Sequence, residues 1–262
     1  MIMACKMSAA RKIVAVVPYY FYSKQSKKKE GRRGIPAKLA ADMLKVAGAT
    51  HVVCLDLHAS QIQGFFDIPC DNLKVEPFFI KYITENILAD EETDYVCLAK
   101  NAGAAKRAGS IAASLKLGLA MINHEFQGDG VRKCLDSGTE SVFTGKEEYG
   151  LLGNVHGMNV IIMDDLIDKP KSFIHAAKIV KAMGAKKVLV IATHGVLSGT
   201  ALSQLQRSCI DKVIVTNSVP QAERAKQYSK LVVVDISPLL TEAMRRIFFG
   251  ESLSFLGKNV PL

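Results

Sequence analysis

The chain has 262 residues, of which 49% are hydrophobic and 23% are charged, and it contains no Trp. This composition excludes a largely disordered chain, a collagen and a coiled coil, and the length suits one large or two small α/β domains. The formal net charge of +9 favours anionic partners, namely nucleic acid, phosphorylated metabolites or an acidic membrane face.

Strands and helices are predicted to alternate along the chain. Short β-branched runs predict strands at 13–17, 51–55, 95–99, 120–122, 160–163, 188–192, 213–216 and 231–235. Longer stretches predict helices at 36–46, 76–87, 103–115, 172–183, 200–206 and 238–247. The repeated β-α-β order predicts an α/β fold with mostly parallel sheets, covered on both faces because several strands are apolar throughout.

Two similar segments suggest how the chain is divided. AGATHVV at 47–53 and MGAKKVLV at 183–190 each join a helix end, a Gly and a strand, which indicates either two related units or an ordinary doubly wound fold. Residues 123–157 are polar, Gly-rich and long for a loop. We therefore predict an N-terminal domain at 1–122, a polar insertion or flexible loop at 123–157 and a C-terminal domain at 158–262, with elements near 235–262 exchanged between the domains.

Membrane and secretory features are not apparent in the sequence. Its apolar runs fall short of the roughly 20 residues of a membrane helix, and the first residues lack the order of a signal peptide. The six Cys residues show no C-x-x-C spacing, which argues against a zinc ribbon or a redox motif. We expect a cytoplasmic protein with reduced thiols and no membrane partner.

A first acidic group follows the strand predicted at 51–55. Asp56 and His58 leave this strand on the same side, and Asp67 and Asp71 follow in a loop. Three carboxylates and an imidazole could hold a hard divalent cation and its phosphate ligand. The alternative is an Asp that caps the next helix and a His that is buried by packing.

A second acidic group, Asp164, Asp165 and Asp168, follows the strand predicted at 160–163. Paired carboxylates at a strand end suit sugar hydroxyls or a magnesium ion. The helix predicted to begin near Ser172 could bind phosphate at its amino end. The alternative is an acidic turn that complements the helix dipole, but the strand–acid–turn–helix order favours a binding site.

A basic run at 24–33 follows the aromatic residues 19–22. It could bind nucleic acid, hold a nucleoside triphosphate or be a solvated charged surface. Since no RNA-binding signature accompanies it, we favour the phosphate of a small metabolite over nucleic acid. Asn101 opens a turn of small residues before a helix, and a ligand could approach the backbone closely there. Lys106 and Arg107 follow on that helix, and they either contribute to such a site or are surface residues of the helix.

Six motifs occur in order along nearly the whole chain: LDLHASQIQGFFDIPCDNL, DD-x-x-D, ATHGVLSG, VTNSVP, VDISPLLTEA and RRIFFGESLSFL. Together they closely resemble the ribose-phosphate pyrophosphokinase family, also called phosphoribosyl pyrophosphate (PRPP) synthetases. The resemblance implies two phosphoribosyltransferase-like α/β domains and assembly into dimers and hexamers. It also implies transfer of the diphosphoryl group of MgATP to the C1 hydroxyl of ribose 5-phosphate, which yields PRPP and AMP.

The resemblance assigns functional positions in this sequence. The catalytic positions are Lys24 and His58, and the ATP-binding positions are Lys24, Gln25, His58 and Lys106. The ribose-phosphate-binding positions are Asp164, Asp165, Asp168 and Ser172. The magnesium positions are Asp56, His58, Asp67 and Asp71, and the regulatory positions are Ser60, Gln63 and Asn72.

The sequence departs from the family's pattern where charge is transferred. His124 and Phe126 stand where the catalytic loop offers a Lys and an Arg, which removes charge stabilisation. The ribose-phosphate loop, Asp-Thr-x-Gly-Thr in the family, has the sequence Asp-Lys-Pro-Lys-Ser at 168–172, and its Pro has no N–H to donate. Lys24 replaces an Arg and so loses the bidentate fork.

Other departures concern the frame of the family. Asn101 replaces an Asp beside the ribose, and the polar stretch after Glu125 is longer than the loop it replaces. Met1 aligns inside a helix, so the first domain is expected to be incomplete at its N-terminus. The insertion after Glu125, the ATP-loop sequence Ser-Lys-Gln at 23–25 and the phosphate-loop sequence at 168–172 resemble those of non-catalytic family members. These are the PRPP synthetase-associated proteins and the insertion-bearing subunits of fungal complexes.

Three hypotheses follow. The first is an active ribose-phosphate diphosphokinase, and the second is a weakened subunit that assembles with an active PRPP synthetase and modulates it. The clustering of changes on charge-bearing positions favours the second. The third, a nucleic-acid-binding protein that uses the basic run, has the least support, and we expect no nucleic-acid partner.

Overall fold

The structure is a computed structural model that describes residues 1–28, 31–89, 94–124, 140–144, 147–257 and 259. Its helices are α1 (Ile2–Met7), α2 (Pro36–Ala47), α3 (Glu76–Asn86), α4 (Ala105–Leu115), α5 (Lys171–Ala182), α6 (Ala201–Gln206), α7 (Ala222–Gln227) and α8 (Ser237–Phe249). Its strands are β1 (Val14–Val17), β2 (His51–Leu55), β3 (Cys70–Leu73), β4 (Tyr95–Ala99), β5 (Gly118–His124), β6 (Glu140–Thr144), β7 (Glu147–Leu152), β8 (Asn159–Ile167), β9 (Lys187–Gly195), β10 (Lys212–Thr216) and β11 (Leu231–Val234).

The chain forms two compact units. The first combines Met1–Pro77 with Ser237–Leu262, and the second is Phe78–Ile236. This division differs from the domains predicted at 1–122 and 158–262. The physical reason is strand pairing, since β4 and β5 belong to the same sheet as β8. Helix α8, in the region where an exchange of elements was predicted, belongs to the first unit.

The first unit is built on a three-stranded parallel sheet in the order β1-β2-β3. Helix α2 begins with Pro36, whose fixed φ and missing N–H suit the first helical turn. It ends at Gly48, whose φ of 111° places it in the left-handed region that favours Gly. Its small residues Ala37 and Ala40 pack in the same buried cluster as Val52.

The second unit is built on an eight-stranded sheet in the order β11-β10-β9-β8-β4-β5-β7-β6. Strands β4, β5 and β8–β11 are parallel, and β6–β7 is an antiparallel hairpin paired to β5. Helix α5 buries Phe173, Ala177 and Val180 at helical spacing against the sheet. The strands that follow β4 in the chain, β5 to β7, lie on one side of it in the sheet, whereas the strands that follow β8, β9 to β11, lie on the other side. The strand order therefore reverses between β4 and β8.

The predicted α/β class with mostly parallel sheets is confirmed. Each predicted helix and strand has its counterpart, with ends that coincide or differ by at most four residues. Helices α1 and α7 and strands β3, β6 and β7 were not predicted from the sequence. No helix in the described part of the chain is long and apolar enough to cross a membrane.

Thiol reactivity should follow burial in this fold. Burial raises the pKa of Cys97 to about 11, because the charged thiolate is disfavoured in β4. Cys5 is exposed. We expect iodoacetamide to modify Cys97 at least about 100-fold more slowly than Cys5, because thiolate fraction and access both limit the reaction.

The measurement is peptide mass spectrometry over a time course, with a urea-unfolded sample as the control in which the two rates converge. Equal rates in the folded chain would contradict the buried position of β4.

Candidate functional site

The carboxyl edge of the eight-stranded sheet gathers polar side chains from four parallel strands. Lys100 follows β4, Asp164 and Asp165 lie near the end of β8, His194 lies near the end of β9, and Ser218 follows β10. Ligands of open α/β sheets bind beyond strand carboxyl ends, at the point where the strand order reverses. In this sheet that point lies between β4 and β8, where Lys100 and Asp164 meet.

Lys100 and Asp164 form an ion pair across this point. The Lys100 ammonium contacts Oδ2 of Asp164, and the two side chains are only 12% and 20% exposed. The same ammonium lies 3.7 Å from the centre of the Phe173 ring on α5. The backbone N–H of Asp165 donates to Oδ1 of Asp164 at 3.0 Å. Both oxygens of Asp164 are therefore engaged within the unit.

Opposing influences set the charge state of Asp164. Burial raises the pKa of this carboxyl, the neighbouring Asp165 raises it further, and Lys100 opposes both. Asp165 is 5% exposed. Carboxylate oxygens at this edge can accept hydrogen bonds from vicinal hydroxyls, as predicted for the ribose.

The loop before α5 carries the third predicted acid. The Asp168 carboxylate accepts a hydrogen bond of 3.0 Å from the backbone N–H of Ser198, which ties this loop to the loop after β9. Pro170 caps α5, and its carbonyl accepts from the N–H of Ile174. Ser172 is exposed in the first turn. The first turn of α5 can offer N–H groups to an anion, but Pro170 cannot contribute one.

A polar cluster on β9 and β10 was not assigned by sequence reasoning. His194 is 3% exposed, and its Nδ1 lies 2.9 Å from Oγ of Ser218. The Thr216 hydroxyl donates to the carbonyl of Thr193 at 2.6 Å, and the Gln221 amide donates to the carbonyl of Gly195. The signal for these residues was present in the motifs ATHGVLSG and VTNSVP, which each follow an apolar run.

Asn101 has a structural task in the turn before α4. Its Oδ1 accepts a hydrogen bond of 3.0 Å from the backbone N–H of Ala104. The neutral amide therefore caps this turn. Lys106, the predicted ATP-binding residue, lies exposed in the first turn of α4.

Asp56 and His58 follow β2 in the first unit, as predicted. Asp56 is 5% exposed and has a φ of 45°, a conformation that costs energy for a non-Gly residue and is frequent at functional sites. The Lys74 ammonium lies 3.7 Å from its Oδ1. His58 is exposed.

Asp67 and Asp71 are engaged elsewhere in that unit. Asp67 is paired with Lys45 at 2.8 Å, and this hydrogen bond lowers the pKa of its carboxyl. Asp71 lies 2.6 Å from Nε2 of His51, the first residue of β2.

The predicted magnesium residues have different neighbours in the structure. Across the described ranges, no three His, Cys, Asp or Glu side chains are placed to hold a metal ion. The assignment of Asp56, His58, Asp67 and Asp71 to magnesium therefore stays a prediction, and a bound cation would have to displace Lys45 from Asp67 and His51 from Asp71.

The predicted ATP loop forms a short turn. Lys24 and Gln25 are exposed in the 3₁₀ turn Ser23–Gln25. An open cavity of about 470 Å³ is lined by Gln25 together with Lys27 and Arg33. Its cationic and amide lining is compatible with an anionic ligand such as a nucleotide.

Two of the predicted regulatory residues share a second cavity. Gln63 and Asn72 line a space of about 270 Å³, together with Lys74 and Ser254. Oδ1 of Asn72 accepts from the N–H of Leu57 at 3.0 Å, whereas its buried Nδ2 has no hydrogen-bond partner within the described residues. A buried donor of this kind suits an anion. Ser60 is exposed and does not line the cavity.

One of the two catalytic-loop positions lies at the end of β5. His124 is the last residue of β5, and Phe126 lies outside the described residues. The segment 123–157, which was predicted as a polar insertion or flexible loop, contains the hairpin β6–β7. Its residues 125–139 and 145–146 lie outside the described part of the chain.

Comparison with known proteins gives consistent matches. Residues 1–48 match the family described as the N-terminal domain of ribose phosphate pyrophosphokinase, and residues 139–258 match the phosphoribosyl synthetase-associated domain. Ribose-phosphate pyrophosphokinase 3 of Saccharomyces cerevisiae is 43% identical over 262 residues, which is the whole of this chain and 77% of that protein. The crystal structure of phosphoribosylpyrophosphate synthetase from Mycobacterium smegmatis superposes with a TM-score of 0.81 and 37% identity, over 95% of this chain and 76% of that one.

Proposed function

Because the chain belongs to the ribose-phosphate pyrophosphokinase family, we propose that it is a catalytically weakened subunit that assembles with an active PRPP synthetase and modulates it. Its ligands in this proposal are ribose 5-phosphate and ATP, and the active partner supplies most of the turnover. Family members join MgATP and ribose 5-phosphate to give PRPP and AMP, which is the reaction the proposed complex performs.

The observation that carries the proposal is the start of α5. Pro170 is the N-cap of this helix, and it has no N–H to donate to a phosphate. The neighbouring Lys169 and Lys171 are exposed. They can attract an anion as point charges, but they cannot replace the fixed geometry of backbone N–H groups. Binding of a sugar phosphate would thus persist in a less ordered position, and misplacement is costly in phosphoryl transfer.

The two catalytic-loop positions in the sequence support the same conclusion. His124 stands where the family offers a Lys, and Phe126 stands where it offers an Arg. Cations at these positions neutralise the charge that develops on the transferring group. Neither an imidazole nor a phenyl ring carries the permanent positive charge of the Lys and Arg side chains that they replace.

The test measures PRPP formation by the purified chain with MgATP, ribose 5-phosphate and phosphate, alone and co-expressed with an active synthetase of the same family. We expect the chain alone to give less than about 1% of the partner's turnover, because the loss of even one oriented charge costs about 100-fold. We expect the two chains to co-purify. Turnover similar to that of the partner would overturn the proposal, as would failure to associate.

Active diphosphokinase chemistry remains the alternative function, favoured by the acids retained at the end of β8. Asp164 and Asp165 lie at the point where the strand order reverses, and Asp168 orders the adjacent loop. Clear turnover by the isolated chain would establish this function. It would also mean that the sequence Lys-Pro-Lys at 169–171 is tolerated in catalysis.

A further inference from the structure

We propose that Lys100 is a specificity-determining residue of the carboxyl edge of the second unit. Its ammonium serves as the fixed counter-cation of Asp164, keeps divalent cations from that carboxylate, and leaves the edge able to bind ribose 5-phosphate without a metal ion. The sugar-phosphate half of this inference rests on the proposed function. The exclusion of divalent cations does not.

The position of the Lys100 side chain is unusual for a lysine. Lys side chains are rarely buried unless they are paired, and this one is 12% exposed. Lys100 follows β4, two residues beyond the register pair Leu98–Ile162, and Asp164 lies two residues beyond the same pair on β8. The sheet register therefore places the two side chains side by side.

Two contacts fix the ammonium in place. It contacts Oδ2 of Asp164, and it lies 3.7 Å from the centre of the Phe173 ring. A cation over an aromatic face is attracted by the ring, more so where water is excluded. Phe173 is itself 2% exposed and packs in the core beneath α5. The cation is thus held by rigid parts of the fold and does not sample solvent as a surface Lys does.

Lys100 lowers the negative charge of this edge and with it the attraction of the edge for divalent cations. With Lys100 in place, the formal charge of Lys100, Asp164 and Asp165 together is −1, whereas the two carboxylates alone would carry −2. A divalent cation that approached Asp164 would meet a fixed positive charge a few ångströms away. The adjacent Asn101 is a neutral amide that caps the turn before α4, so it adds no further carboxylate.

The same arrangement still suits a sugar phosphate. Hydroxyl groups bind carboxylate oxygens through hydrogen bonds and need no metal ion for this. The Lys100 ammonium has three donors, of which Asp164 uses one. A lower negative charge also repels the phosphate of the ligand less. The edge can thus orient ribose hydroxyls while the cation stays part of the protein.

The experiment compares the full chain with Lys100→Met, a variant that keeps an apolar side chain on the Phe173 ring and removes the charge. Mn²⁺ binding is measured by the electron paramagnetic resonance signal of free Mn²⁺. We expect Lys100→Met to bind Mn²⁺ at least about tenfold more tightly than the unaltered chain, because a fixed repulsive charge is gone. Mn²⁺ should also raise the melting temperature of Lys100→Met, whereas the melting temperature of the unaltered chain should not change.

Two further variants locate the effect. Lys100→Met with Asp164→Asn should lose the gain, since the carboxylate is absent. Lys181→Met removes another Lys from a Lys–Asp pair of the same unit, the pair with Asp211, and should bind Mn²⁺ as the unaltered chain does. A folded Lys100→Met that gains no Mn²⁺ affinity would overturn the proposal.

A second measurement on the unaltered chain does not depend on any variant. Calorimetric titration with ribose 5-phosphate should give dissociation constants that agree within about twofold in EDTA and in excess Mg²⁺. Binding that requires Mg²⁺ would overturn the proposal. If Mn²⁺ affinity rises in Lys100→Met but ribose 5-phosphate does not bind at all, the role of Lys100 stands and the sugar-phosphate site is refuted.

Discussion

The substitution Phe173→Ala is expected to lower the free energy of unfolding of the second unit by about 3–5 kcal/mol, the usual cost of removing a buried aromatic side chain. Phe173 is 2% exposed and belongs to the core cluster that also contains Ile162 and Val190. Its loss leaves a cavity beneath α5 and removes the ring from the Lys100 ammonium. Hydrogen exchange of β8 and β9 amides over a urea series measures the change within this unit.

Phe248→Ala is the matched control for this prediction. Phe248 is 82% exposed on α8 in the first unit, so its removal should change stability by less than about 0.5 kcal/mol. Equal effects of the two substitutions would show that the face of α5 described above is not packed against the sheet.

Restoration of catalysis is expected to require two regions at once. His124→Lys with Phe126→Arg should raise PRPP formation little, because the phosphate of the substrate is still poorly positioned. The same pair combined with the loop exchange Lys169→Thr, Pro170→Ala, Lys171→Gly and Ser172→Thr should raise it by at least about 100-fold, since positioning and charge then act together. The measurement is the initial rate of PRPP formation under saturating MgATP.

A control for this combined variant must remove two lysines without touching the loop. Lys178→Thr on α5 with Lys226→Ala on α7 does so at exposed positions, and it should leave the rate of the His124→Lys, Phe126→Arg background unchanged. A large gain from that background pair alone would contradict an impaired ribose-phosphate loop.

Apolar periodicity made most of the fold predictable, and its absence explains what was missed. Strand β8 is buried along nearly its whole length, from Asn159 to Ile167, so its sequence is a continuous apolar run before the acids. Strand β3 has the sequence Cys-Asp-Asn-Leu, which lacks such a run and forms because it pairs in parallel with β2. Tertiary pairing outweighed local propensity there.

The acidic residues of the candidate site could be predicted from the sequence, but the residues that pair with them could not. Strand ends marked Asp164 and Asp165 because ligands bind there in parallel sheets. Lys100 lies 64 residues away in sequence from Asp164, and only the register of β4 beside β8 brings the two together. The same limitation applies to Asp71, whose partner His51 lies at the opposite end of β2 from Asp56.

The Lys100–Asp164 pair also restricts the order in which mutations can accumulate in this protein. Loss of either side chain alone leaves its partner as a largely buried, uncompensated charge, which is strongly destabilising. Descendants of this chain are therefore expected to keep both residues, or to replace both within few steps. Substitution of Lys100 alone leads directly to an edge with acids only, which is itself the less stable state, so the residues at these two positions are coupled by epistasis.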